Sequence, residues 1–525
     1  MKIQYHFPIA VLFAIGLCAC SGKPADSAGA TQEKPAQAES SKPAVATSAA
    51  APPEPAPQAP ATEQKPPQSA ADAANAELIK KAEALTQDQI KQSLDLAGLS
   101  KLAQLYNSQH DAQRFTWVLE RLTALLPNSG NLRLQLAMAY AGTGDKTRTY
   151  DALVKLVNLG FSYDIGKDPR FAAVHDTRVW DYIVTNLQTN GKPFGEGKVA
   201  FDLPKGDLLL ESLAWDPKRK QFLAGSVREG KVYLVDGAGK LSDFISADAN
   251  NGLWAVYALA VDAARDKLYA LSNGVPHFKD FNADMLGKAG LFEFSLSTGK
   301  FLHKYILPQD KAGHILSSVA VGGNGRVFVA DGVNQQIFSL DGGALKPLVQ
   351  NPALTGIRGM AVSGDGKMLY FADFSLGIFG MDLTKAAPFG LAHNVDKLAL
   401  GGIEGLYWYD GALVAIQNDM SPQRVMRLKL SADGRSVANA MPLDVAQPAF
   451  TGLATGAVSG DGLYTIANSQ KGLYDRYGVL TEAGKLEPVH IFRSNLRFAW
   501  DDKGVGGTMS ALPAGRAPAQ APKGP

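Results

Sequence analysis

Six short stretches between Glu211 and Asn468 repeat one pattern, and this repetition constrains the fold more than any other feature of the chain. Each is an apolar run, a turn rich in Gly or Asp, and a second apolar run: ESLAWDPKRKQFLAGS from Glu211, YALAVDAARDKLYALS from Tyr257, SVAVGGNGRVFVAD from Ser318, RGMAVSGDGKMLYFAD from Arg358, EGLYWYDGALVAIQN from Glu404 and TGLATGAVSGDGLYTIAN from Thr451. Such alternation around a tight turn marks a β-hairpin. Aligning the apolar cores makes Glu211, Tyr257, Ser317, Arg358, Glu404 and Thr451 equivalent, with steps of 46, 60, 41, 46 and 47 residues. Those steps match the length of a four-stranded propeller blade. The spacing predicts an all-β six-bladed propeller over residues 198–502, with the strand around Val199-Ala200-Phe201 completing the last blade. Closing the ring in this way removes exposed sheet edges.

The phrase Glu211-Ser-Leu-Ala-Trp-Asp216 resembles the opening motif of the senescence-marker-protein and gluconolactonase-like propeller superfamily. The resemblance covers about three hundred residues. It implies that Glu211 is a metal ligand and that Glu404, in Glu404-Gly405-Leu406, stands where the family has the aspartate of an Asp-Gly pair. Glu211 and Glu404 are therefore the candidate ligands for a divalent cation such as calcium or zinc. The sequence departs from the family at Arg358-Gly359, which replaces an Asn-Gly ligand. Calcium takes six to eight oxygen ligands, and a guanidinium offers no lone pair.

Three uses of this mouth stay open. Arg358 can supply the charge a metal would bring, giving a structural ion-pair cluster with Glu211 and Glu404. The mouth can bind a small polar ligand or a partner. It can also serve a metal-dependent lactone or ester hydrolase, in which the metal polarises the carbonyl and activates water. No residue is assigned a catalytic role.

The long 60-residue step places extra chain at Asn273–Lys288, between the second and third strands of the second blade. In an antiparallel blade that loop shares a face with the start of the innermost strand, so it should overhang the mouth beside Tyr257. His277, Phe278, Asp280, Phe281 and Asp284 are the candidates for gating or ligand contact there. The equally simple alternative is a surface loop with its Phe side chains tucked onto the blade.

Residues 75–190 read as an all-α module, so the chain is expected to be multidomain. Leu102-Ala103, Tyr106, Leu119 and Leu122 recur 34 residues later as Leu136-Ala137, Tyr140, Leu153 and Leu156, a period similar to that of tetratricopeptide repeats. His110 and Gly144 fall at the turns of the two copies. Such a module could make the protein an envelope scaffold.

The N-terminus addresses the chain. Lys2 precedes an apolar run, Pro8–Leu17, that is of signal-peptide length and too short for a permanent span. Leu17-Cys18-Ala19-Cys20 resembles the lipobox of bacterial lipoproteins, which implies a signal peptide over 1–19 and acylation at Cys20. Ser21 resembles an outer-membrane address, so the expected location is the cell envelope, lipid-anchored in the outer membrane and facing the periplasm. Residues 20–74 and 503–525, rich in Ala and Pro, cannot bury enough surface to offset ordering entropy and read as a tether and a tail.

Composition excludes other classes. A net charge of +2 from 52 basic and 50 acidic side chains gives no basic field for nucleic acid. The two cysteines, Cys18 and Cys20, exclude a disulfide framework or thiolate metal site in the body of the protein. Partners are therefore the membrane, through the lipid, and a small molecule or another envelope protein.

Overall fold

The computed structural model describes residues 80, 82–309 and 313–498. Cys20, the leader, the tether and the tail lie outside the described residues. No described helix is long and apolar enough to cross a membrane.

The helical segment is built from α1 (Gln87–Gln92), α2 (Leu96–Ser108), α3 (Ala112–Leu125), α4 (Gly130–Gly142), α5 (Lys146–Asn158) and α6 (Arg178–Asn190). Each begins at a Thr, Asp or Ser whose side chain accepts a backbone N–H of the first turn, and Thr86 with Gln89 makes a reciprocal capping box. The turns α2–α3 and α4–α5 are alike: His110 and Gly144 both take positive φ, and Asp111 and Asp145 donate their N–H to the carbonyls of Tyr106 and Tyr140. Ala103, Tyr106, Leu119 and Leu122, with their counterparts Ala137, Tyr140, Leu153 and Leu156, are all buried.

Six four-stranded antiparallel sheets follow. The first is β2 (Leu210–Asp216), β3 (Gln221–Ser226), β4 (Lys231–Val235) and β5 (Leu241–Ile245); the second is β6 (Ala255–Asp262), β7 (Lys267–Asn273), β8 (Ala289–Ser295) and β9 (Phe301–Ile306). The third is β10 (Leu316–Val321), β11 (Val327–Asp331), β12 (Gln336–Asp341) and β13 (Ala344–Gln350); the fourth is β14 (Ile357–Val362), β15 (Met368–Asp373), β16 (Gly377–Asp382) and β17 (Ala387–Gly390). The fifth is β18 (Ile403–Tyr409), β19 (Ala412–Gln417), β20 (Arg424–Leu430) and β21 (Val437–Val445). The sixth joins β22 (Gly456–Ser459), β23 (Gly462–Ile466) and β24 (Val489–Asn495) to β1 (Lys198–Leu203), whose Asp202 and Leu203 pair with His490 and Val489. The ring is thus closed by the strand that precedes its first blade.

Apolar side chains hold the blades together, because each innermost strand directs them alternately to its two neighbours. Leu213 packs on Ala454 and Ala457 of the sixth blade, and Ala214 on Leu259 of the second. Met360 and Val362 pack on the third blade, while Ala361 packs on the fifth. The regular part of an innermost strand thus has no side chain to spare for the central channel.

Helices and ring belong to one compact unit. Asn128, between α3 and α4, is the principal link: its amide donates to the Leu376 carbonyl at 3.0 Å and its oxygen accepts the buried Leu400 N–H at 3.0 Å. Ser162 and Ser421 exchange hydrogen bonds through N–H, hydroxyl and carbonyl groups, and the buried Arg424 donates to the Leu159 carbonyl. Replacing Asn128 by Ala orphans a buried donor and should lower unfolding stability by about 2 kcal/mol. Chemical denaturation measures this, and an unchanged midpoint would show the docking to be incidental.

Where the helices enter the ring, Gly197 donates its N–H to Asp444 Oδ1 at 2.8 Å, and the carboxyl is buried. Burial pushes the Asp444 carboxyl up to about 6. The folded state therefore favours the protonated acid, and this contribution is present below about pH 4 and lost as pH rises through 6. Asp444→Asn should add about 2 kcal/mol at pH 7 and flatten the decline in stability between pH 4 and 7. Parallel pH curves for the two proteins would contradict it.

Candidate functional site

At the start of the innermost strands the alternation breaks. The β2–β3, β6–β7, β10–β11, β14–β15 and β18–β19 ladders each carry an irregularity, at 210/212, 256/258, 316/318, 357/359 and 403/405. A bulge inserts one unpaired residue and re-aims its side chain. The inserted residues are Glu211, Tyr257, Ser317, Arg358 and Glu404, all partly buried. In the sixth blade Ala454 N–H donates to Ile466, and Gly456 pairs with Thr465, so the inserted residue is Thr455. Thr451 is exposed and precedes the strand. The position expected for Thr451 therefore belongs to Thr455, four residues later.

What braces these bulges is a set of residues that sequence reasoning missed. The last residue of the second strand in the first five blades, Ser226, Asn273, Asp331, Asp373 and Gln417, is fully buried and polar. Asn273 grips Leu316 through both N–H and carbonyl (2.8 and 2.9 Å), and Asp373 accepts the N–H groups of Thr355 and Gly356 (2.6 and 3.0 Å). Gln417 donates to the Gly401 carbonyl at 2.7 Å. The legible signal was a single polar residue closing each apolar run.

Blade order sets Arg358 across the ring from Glu211. Arg358 Nη1 lies 4.0 Å from Glu404 Oε1, beyond hydrogen-bond reach, its guanidinium is 5.7 Å from the Phe374 ring centroid, and its Nε is buried without a partner. Glu211 accepts the Ser469 hydroxyl. Burial pushes the Glu211 carboxyl upward and Glu404 adds to this, against the pull of Lys471, Ser469 and Arg358. Burial and Glu211 likewise raise the Tyr257 phenol. The hydroxyls of Ser317 and Thr455 are engaged, donating to the carbonyls of Ile357 (2.7 Å) and Glu211 (2.8 Å).

These residues do not fit a calcium or zinc centre. Glu211 and Glu404 bring two carboxylates, a guanidinium holds the third position, and no group of three or more His, Cys, Asp or Glu suited to a metal occurs among the described residues. Both ions need a larger convergent donor set.

The mouth is overhung by two insertions. Residues 274–288 follow β7 as expected, and residues 467–488, between β23 and β24, were not foreseen. Phe278 is buried with Val275, Ala255 and Tyr474, and Phe281 packs beside Tyr257 on the same cluster. His277 is half-buried near Tyr474; burial, then Lys471 and Arg228, hold its ring below the usual imidazole range. Asp280 and Asp284 are exposed. Arg228, in the corresponding turn of the first blade, ties the insertions together. It donates to the His277 carbonyl at 2.7 Å and the Gly478 carbonyl at 3.0 Å, and pairs with Asp207 at 2.8 Å. Tyr474 donates to the same Asp207 at 2.7 Å.

The opposite side is walled by the helical segment. Burial and Asp419 raise the Tyr163 phenol; burial and Glu404 raise Asp419. Tyr163, Asp419 and Glu404 thus form one electrostatic chain from the helices to the ring. Below the mouth runs a channel of about 360 Å³ lined by the six innermost strands, with Ser317, Arg358, Glu404 and Thr455 among its walls. That volume suits a small molecule.

No protein-family profile and no curated protein matches this chain. Solved structures do. It is similar to a PQQ-bound aldose sugar dehydrogenase from Streptomyces coelicolor, at 16% identity over 58% of this chain and 99% of that one, TM-score 0.38. A gluconolactonase from Xanthomonas campestris gives 13% identity, 58% and 90% coverage, and TM-score 0.37. A calcium-binding regucalcin from Agrobacterium tumefaciens gives 16%, 57% and 93%, and 0.40. By its own sheets, the chain is a helical segment followed by a six-bladed β-propeller.

Proposed function

We propose that this protein is a membrane-anchored, extracytoplasmic lipoprotein whose propeller mouth binds a small polar ligand. The observation that carries the binding is the run of bulges, which falls on five polar or charged residues at one end of the innermost strands, three of which, Ser317, Arg358 and Glu404, line one channel. Bulges re-aim side chains and recur beside active sites. The two carboxylates and one guanidinium make too few oxygen ligands for a metal-dependent hydrolase, and a binding mouth uses them as they stand.

A library of small polar compounds screened by thermal unfolding of the full-length chain tests the binding. Compounds that stabilise the wild type should bind at least about tenfold more weakly to Tyr257→Phe or Glu404→Gln, as expected when one polar contact of a buried ligand is removed. Hits indifferent to both substitutions would sink the mouth as the site. Mass spectrometry of the mature N-terminus tests the anchor: acylated Cys20 supports it, and an unmodified N-terminal segment contradicts it.

A further inference from the structure

We propose that the mouth takes a small carboxylate, held by the donor edge of the Arg358 guanidinium. This rests on the mouth being a ligand site and adds the ligand's class.

A guanidinium presents five N–H donors in a planar fork, and three other arginines of the ring spread theirs over several acceptors. Arg228 has a carboxylate and two carbonyls; Arg219 has Asp216 and the carbonyls of Leu296 and Ser297; Arg424 has Gln417 and the carbonyls of Leu159 and Ala399. Arg358 differs. Its Nε is buried without an acceptor, and Nη1 stands 4.0 Å from Glu404 Oε1. The Phe374 ring, 5.7 Å away, attracts the cation and leaves it no acceptor.

The surrounding groups do not supply what is missing. Ser317 and Thr455 already donate to carbonyls, and the Ser469 hydroxyl donates to Glu211. Tyr257 offers a phenol O–H, a further donor. The Arg358 guanidinium therefore lacks an acceptor with two oxygens in one plane at hydrogen-bond distance, and the chemical group with that shape is a carboxylate. The channel below leaves space for the remainder of the molecule.

The test uses the full-length chain labelled with ¹⁵N at arginine, with the Arg358 Nε–H resonance identified as the one missing from Arg358→Lys. Sodium acetate is titrated at constant ionic strength, and acetamide serves as the neutral counterpart of the same shape. The expected result is a saturable shift of that resonance with a dissociation constant in the millimolar range, and at least about tenfold weaker response to acetamide. Arg358→Lys, which keeps the charge and loses the fork, should weaken the acetate-induced thermal stabilisation at least about tenfold in apparent affinity. No saturable shift up to roughly 0.1 M acetate overturns the proposal, as does an equal response to acetamide. In the second case the mouth remains a site for neutral ligands. Failure of acetate together with failure of every library compound removes the binding function as well.

Discussion

Replacing Arg228 by alanine is expected to lower unfolding stability by about 3 kcal/mol and to release both insertions above the mouth. The side chain is only 11% exposed, and its partner Asp207 is 32% exposed. Burial alone would raise the Asp207 carboxyl, but Arg228, Tyr474 and Lys279 together hold it below the usual carboxylate range. Breaking a fully buried pair costs about 3–5 kcal/mol, and an exposed one 1 kcal/mol or less. Solvent at Asp207 discounts the first figure. The two carbonyls left without a donor, at His277 and Gly478, add to the loss. Arg228→Lys should recover less than half, since an ammonium cannot serve a carboxylate fork and two carbonyls from one place. Hydrogen exchange should rise in residues 275–280 and 474–480 and stay unchanged in the fourth and fifth blades. Uniform exchange across the ring would mean that Arg228 supports the first blade and does not clasp the insertions.

Gly359→Val is expected to cost about 3 kcal/mol or more, with Gly359→Ala close to 2. A Cβ at this position would lie 2.6 Å from the Leu406 nitrogen and 3.0 Å from the Gly405 carbonyl carbon, both backbone atoms of the next blade. Neither can move without shifting β18 against β19, so the innermost strands of the fourth and fifth blades must separate. Because Arg358 and Glu404 sit in the bulges beside that contact, acetate binding should weaken along with stability. Denaturant unfolding and the acetate titration check the two halves. A Gly359→Ala protein of wild-type stability would show that the blades have slack there, and the close approach would then owe nothing to the glycine.

The ring was legible because blade length is a local, repeated quantity. Six apolar hairpins at steps of 41 to 60 residues fixed the number of sheets, and Val199–Phe201 was the remaining strand able to close them. Five of the six mouth positions came from the same alignment. The sixth failed because Thr-Gly occurs twice, four residues apart, at Thr451-Gly452 and Thr455-Gly456, and only strand pairing distinguishes the copies. The first insertion was visible as excess length between repeats. The second, 467–488, was not, because it falls after the last repeat and no further step measures it. Arg228 and Asn128 were invisible for another reason. Each is an ordinary turn residue whose partners lie far along the chain, up to 272 residues away for Asn128. The helical segment read as a separate module because period shows which face of a helix is buried within a repeat and gives no information about docking onto a ring.

On the function proposed above, a resident guanidinium, and no metal ion, provides the positive charge at the mouth. Calcium binding to the full-length chain, measured by isothermal titration at neutral pH with Glu211→Gln and Arg358→Asn alongside, tests it most directly. The predicted result is no saturable calcium binding to the wild type in the micromolar range, with weak binding appearing only in Arg358→Asn, where a carboxamide oxygen replaces the cation. One calcium per wild-type chain, lost in Glu211→Gln, would contradict the claim and return Glu211 and Glu404 to the role of metal ligands.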